Sequence, residues 1–132
     1  MLLPALLAVL SGCADEIGPE VMPTARVTGR VREGTRPVQG GWVEFLPVDG
    51  TVGLMCSAPI GADGRFQSDR VPAGVVAVGV NGAKLSPESS RILFNTLVTP
   101  IRRKVPATGS SEIDIDLIVE RAAWEVSRSA RK

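Results

Sequence analysis

No histidine and no tyrosine occur among the 132 residues. Their absence removes the commonest general base, the commonest zinc ligand and the histidine-dependent triads, and with them most familiar hydrolase mechanisms. An excess of charge of either sign is also missing. Fifteen basic residues stand against fourteen acidic ones, for a net charge of +1. The electrostatic footprint of a nucleic-acid binder is therefore absent, and neither DNA nor RNA is expected as a partner. Aromatic residues make up 4% of the chain, so few side chains could serve as stacking platforms for a ligand. What is present is 44% hydrophobic and 22% charged residues with fourteen glycines and ten prolines, the composition of a turn-rich globular chain long enough for one domain with one core.

Residues 2–10 form an apolar run interrupted by Pro4 and followed by Leu10-Ser11-Gly12-Cys13. Such a run is too short to span a bilayer but suits the apolar region of a secretory signal. No Lys or Arg precedes it, a departure from the usual signal that a start upstream of Met1 would explain. The tetrapeptide resembles the lipobox of bacterial lipoproteins. That resemblance implies cleavage between Gly12 and Cys13, a diacylglycerol thioether on Cys13, and a chain held on a membrane outside the cytoplasm. Two or three acyl chains at ~0.8 kcal/mol per buried methylene make such an anchor effectively permanent. The alternative is an ordinary buried N-terminal segment with Cys13 in the core. With Cys13 assigned to lipid, Cys56 stands alone as a buried inert thiol. A catalytic thiolate there would need an Arg or Lys neighbour, and a Cys13–Cys56 disulfide is the lesser option.

The expected organisation is a signal over 1–12, a lipidated end and acidic tether over 13–24, a β domain over 25–120 and a basic tail over 121–132. From Ala25 onward, short alternating segments separated by glycine-rich turns predict an all-β sandwich. Val27, Gly29 and Val31 share one face of a first strand, and Val43 and Phe45 face the core from a second that Pro47 closes. A third strand is expected over about 52–60 and a fourth over 65–68, the latter entered through an Ala62-Asp63-Gly64 turn. A fifth, alternating through Val76, Val78 and Val80, follows the Val71-Pro72-Ala73-Gly74 turn. Ser86-Pro87-Glu88 carries helix-start chemistry, predicting a short helix from Pro87 to about Phe94; the alternative is a loop packed through Ile92, Leu93 and Phe94. Residues 97–105 and 112–119 read as a final hairpin with Lys104 opposite Glu112, Arg102 opposite Asp114 and Ile101 opposite Ile115. That register leaves Arg103 awkwardly placed. The tail around Trp124 reads as a short helix or a frayed end.

The segments Val27-Thr28-Gly29-Arg30-Val31, Pro37-Val38-Gln39-Gly40-Gly41-Trp42-Val43, Asp63-Gly64-Arg65-Phe66 and Pro72-Ala73-Gly74 together resemble the carboxypeptidase regulatory-like domain, with Gly41 where alanine is common. This implies a seven-stranded, transthyretin-like Greek-key sandwich. With the lipobox, the chain is similar to small single-domain lipoproteins of planctomycete-type bacteria.

Few residues suggest chemistry. Asp63 and Gly64 fit a tight turn better than a calcium loop, because the further carboxylates of such a loop are missing. Asp114 and Asp116, two apart on a strand, read as a solvated stripe rather than an acid–base pair. Lys84, Lys104, Asn81 and Asn95 could belong to an intramolecular isopeptide bond, but no trio with a buried acid can be placed. No catalytic residue, metal site or cofactor is expected. The leading expectation is a noncatalytic, membrane-anchored lipoprotein domain in the cell envelope, facing the periplasm or cell surface and acting by contact with an envelope protein or as an envelope component. A small-ligand or carbohydrate-binding module, with Trp42 as its platform and a glycan as partner, is the alternative. A cleft around Trp42 would favour the ligand, whereas an apolar patch with a polar border would favour a protein partner.

Overall fold

Alternation in the first strand decides which way the sheet faces. Along β1 (Thr24–Glu33), Ala25, Val27 and Val31 point inward and are buried, while Arg26 and Arg30 face water. The computed structural model describes residues 22–94 and 98–131; the expectations for Gly12, Cys13, Asn95 and Leu97 lie outside them. β2 (Arg36–Pro37), β3 (Trp42–Pro47), β4 (Cys56–Pro59), β5 (Arg65–Pro72) and β6 (Gly74–Asn81) follow, then α1 (Pro87–Phe94), β7 (Arg102–Val105), β8 (Ser110–Asp116) and α2 (Leu117–Ala130).

The strands form two four-stranded sheets. In the first, antiparallel β5 and β2 share one edge of β1, and β8 runs parallel along its other edge. The second has the order β4-β3-β6-β7, antiparallel throughout. Their inner faces close over a valine-rich core in which Phe45 of β3 meets Phe66 of β5, with ring centroids 5.7 Å apart and a tilted geometry favoured by the ring quadrupoles. The protein is thus a β-sandwich with two short helices.

The predicted helix Pro87–Phe94 is present, and Ser86 caps it by accepting a hydrogen bond from Ser89 N at 3.2 Å. Of the three apolar residues that the loop alternative would pack inward, the helix buries Ile92 and Leu93 and leaves Phe94 56% exposed. The third strand is shorter than predicted, because residues 52–55 form part of a loop and pairing begins only at Cys56. The fourth is longer, running on to Pro72.

The final hairpin does not form. β7 pairs with β6 in one sheet and β8 with β1 in the other, so the intervening segment crosses the sandwich. Arg102 donates instead to the carbonyls of Thr99 and Ile101, and Asp114 pairs with Arg32 at 3.3 Å. Ile113 and Ile115 face the core either way. Period-2 alternation fixes the buried face of a strand but not the edge to which it bonds. Arg103, awkward in the hairpin register, ion-pairs with Glu120 of α2.

Residues 117–119, expected to finish the last strand, are the first turn of α2. Asp116 ends the strand and caps the helix, accepting from Ile118 N at 3.0 Å. Leu117 is fully buried and Trp124 packs partly against the core, while Arg128 lies 4.7 Å over the Trp124 ring.

The close approach of β8 to β1 depends on Gly29. A Cβ at that position would lie 1.8 Å from Ile113 O and 2.8 Å from the Phe66 ring. Gly29→Ala is therefore expected to destabilise the fold by at least about 1–3 kcal/mol through overpacking. Gly40→Ala meets no neighbour within 4 Å, although its φ of +74° strains the alanine, and should cost less. Urea midpoints of the two variants check the order.

Candidate functional site

The outward side chains of β3 are Trp42, Glu44 and Leu46, and opposite them on β6 lie Asn81, Gly79 and Ala77. Small residues on β6 leave a furrow along the outer face of the second sheet. Leu46 and Met55 form one wall, Phe94, Val98 and Thr99 the other, and Glu44 and Asn81 close one end. The volume is about 280 Å³, at the bottom of the range for small-molecule pockets. Thr99 is fixed in the wall by donating to Val78 O, and Val78 N donates to Ile101 O at 3.0 Å. Leu46, Met55, Phe94 and Val98 are all exposed apolar side chains. This is an apolar furrow with a polar border.

Trp42 is 52% exposed, and its ring lies against Gly82, where an added Cβ would approach to 2.9 Å. It does not line the furrow. Asn81 and Glu44, which do, are joined by a hydrogen bond of 3.4 Å.

The remaining candidates have structural partners. Asp63 accepts from Arg65 N at 3.1 Å and pairs with its guanidinium at 3.4 Å, while Gly64 adopts a φ of 81°. This is a turn in which the carboxylate serves the backbone. Asp114 and Asp116 both meet Arg32, and Asp116 also accepts from Gly34 N at 2.9 Å. Cys56 faces inward in register with Phe45, with its Sγ 3.7 Å from Ser68 Oγ. Burial pushes its thiol pKa up, and the Ser68 hydrogen bond only partly offsets this. Lys84 and Lys104 are exposed on the surface and Asn81 is committed to Glu44, so these residues do not converge on a buried acid. Among the described residues, no three His, Cys, Asp or Glu side chains are grouped to hold a metal ion.

Sequence patterning alone does not single out Glu33. At the end of β1 its carboxylate is buried and accepts from Ser86 Oγ at 2.6 Å, Ser89 Oγ at 2.8 Å and Arg36 Nη2 at 3.1 Å. It thus sits at the N-terminus of α1, where the helix dipole favours an anion. Desolvation raises its pKa, but the hydrogen bonds from Ser86, Ser89 and Arg36 together outweigh that and hold it below the usual carboxylate range. The signal available in the sequence was an acidic residue at the end of a core strand. Its serine partners lie more than fifty positions away, so spacing could not reveal it.

The fold defines the class of this protein as a β-sandwich. Among solved structures, the chain is similar to a DUF3823 family protein from Parabacteroides merdae, with a TM-score of 0.45 and 13% identity, covering 71% of this chain and 45% of that one. It is also similar to the major pilin subunit BcpA of Bacillus cereus, with a TM-score of 0.42 and 12% identity, covering 70% of this chain and 30% of that one. The chain therefore spans less than half the length of either. No family model matches it, and no curated protein matches it in sequence.

Because Glu33 has a depressed pKa when folded, its stabilisation is complete above the carboxylate range of the unfolded chain and is lost as pH falls through the folded value. Glu33→Gln should cost about 1–3 kcal/mol near neutral pH, and the gap to the parent should close on acidification. Urea unfolding at a series of pH values measures both. Cys56, with its raised pKa, should react with iodoacetamide more slowly in the folded chain than in urea, as the rate of carboxamidomethylation will show.

Proposed function

We propose that this chain is a noncatalytic β-sandwich, anchored to a membrane through lipid on Cys13, that works by protein contact in the cell envelope. The observation that carries the reading is how the side chains are spent. The carboxylates and thiol that could do chemistry are engaged in caps, turns and the sheet-facing surface of the core, whereas Leu46, Met55, Phe94 and Val98 remain exposed around an open furrow. An exposed apolar patch with a polar border is the usual form of a contact surface for another protein. The Leu10-Ser11-Gly12-Cys13 sequence supports the anchor. The V-x-G-x-V strand and the Asp63-Gly64 and Pro72-Ala73-Gly74 turns support a transthyretin-like Greek-key arrangement of the carboxypeptidase regulatory-like kind.

A second reading, a carbohydrate-binding module, has one observation in its favour. The half-exposed ring of Trp42 lies on the same sheet face as the hydrogen-bonded Asn81–Glu44 pair, an aromatic platform beside polar groups. A change in tryptophan emission on titration with sugars would favour this reading, provided Trp42→Ala abolishes it.

Two measurements test the leading proposal. Metabolic labelling with a clickable fatty acid should mark the parent protein but not Cys13→Ala; equal labelling of both contradicts the anchor. A photoreactive residue replacing Phe94 should crosslink to a discrete envelope protein in intact cells. Gly79→Leu, which fills the furrow floor where the nearest atoms to an added Cβ are those of Thr99 and Glu44 at 3.6 Å or more, should abolish that crosslink while leaving the unfolding free energy in urea within about 1 kcal/mol of the parent. A crosslink that survives the filled furrow contradicts the contact surface.

A further inference from the structure

Three segments meet at the end of the sandwich where the chain enters β1. Pro23 O accepts from Ala73 N at 3.0 Å, which ties the incoming chain to the β5–β6 turn. The loop between β3 and β4 is tied to the same turn: Val48 N donates to Val75 O at 3.1 Å, and Thr51 Oγ1 accepts from Val75 N at 2.8 Å. Gly53 lies so close to Pro72 that an added Cβ would sit 2.8 Å from the proline Cβ. Met22, Pro23, Thr51, Val52 and Gly74 line one shared hollow. The loop is thus held firmly beside the point where the described chain begins.

This pinned loop carries apolar side chains into water. Val52 is 59% exposed, Leu54 74% and Met55 58%. Arg70 and Lys104 are exposed near the same end and take part in no ion pair among the described residues, although Asp49 lies in the loop as well. One exposed ion pair, Arg26–Asp69, lies near this end, whereas the opposite end of the molecule, some 30 Å away along a ten-residue strand, carries Arg32–Asp114, Arg32–Asp116, Arg36–Glu33 and Arg65–Asp63. Polarity along the strand direction is therefore uneven.

We propose that residues 52–55 dip into the lipid surface on which the chain is anchored, so that the sandwich stands on the membrane by the end at which β1 begins. The proposal rests on the lipid anchor at Cys13 argued above. Nine peptide steps separate Cys13 from Met22, and even fully extended they reach only about 30 Å. Because the charged end lies some 30 Å further on, only a fully stretched tether brings it to the headgroups, whereas any slack favours the end at which β1 begins. With the lipid holding the domain at high local concentration, a few apolar side chains suffice to settle it. Val52 and Leu54 supply the apolar surface, with Met55 at the edge where the loop meets the furrow, and Arg70 and Lys104 suit an anionic lipid.

The test uses the full lipid-bearing chain in vesicles of phosphatidylethanolamine and phosphatidylglycerol, with Cys56→Ser to remove the second thiol. An environment-sensitive fluorophore is attached at Leu54→Cys, or at Asp63→Cys on the opposite end. The Leu54 probe should brighten severalfold, shift to the blue and be quenched by lipids brominated on their acyl chains, while the Asp63 probe should behave as in water. A chain that pellets with the vesicles but leaves the Leu54 probe as wet as the Asp63 probe overturns the standing orientation and spares the anchor. A processed chain that fails to pellet with vesicles overturns both.

Discussion

The structure depends on β1 being bonded along both edges. Through its backbone it joins antiparallel β5 and β2 on one side to parallel β8 on the other, and Gly29 permits the close approach of β8. Its inward side chains Val27 and Val31 are fully buried. Remove that double pairing and β8 loses its partner, and the helix that follows β8 loses its origin. The far end of the same strand organises both helices. Glu33 binds the start of α1, and Arg32 and Gly34 hold the Asp114–Asp116 segment that starts α2.

Concentrating hydrogen-bonded charge at one end has a consequence for the other. Near the start of β1, the loop is held by turns, a threonine hydroxyl and the ring of Pro72, with one exposed ion pair, Arg26–Asp69, close by, and it presents Val52, Leu54 and Met55 outward. On the outer face of the second sheet, glycine and alanine on β6 leave a furrow that longer apolar side chains border without filling. Exposed apolar area of this kind favours an interaction surface over an enclosed pocket. No helix among the described residues is long and apolar enough to cross a membrane; the membrane attachment we propose is by the lipid and by a loop that would touch the surface.

Much of this was legible in the sequence, and the misses share a cause. Strict alternation through Val43–Phe45 and Val76–Val78–Val80 identified two strands and their buried faces. Ser86 and Pro87 marked the start of α1, and Asp63-Gly64 marked a turn. The partner of β8 was not legible, because Ile113 and Ile115 would be buried against either β7 or β1. The helical start at Leu117 was concealed by apolar Ile118 and Val119 continuing the strand pattern; Asp116 followed by Glu120 was the cap signal that outweighed it. The furrow was half legible. Leu46 is an apolar residue at an outward position of a strand whose inward face was already assigned, whereas Phe94 and Val98 reach the furrow only through the tertiary arrangement of α1 and the chain that leads into β7.

The account turns on the state of the amino end, and mass spectrometry of the amino-terminal proteolytic peptide from protein purified from its native membranes examines it most directly. The account predicts a peptide that begins at Cys13 and carries the added mass of a diacylglycerol thioether. A peptide that still contains Leu10-Ser11-Gly12, with Cys13 as an unmodified thiol, would contradict it.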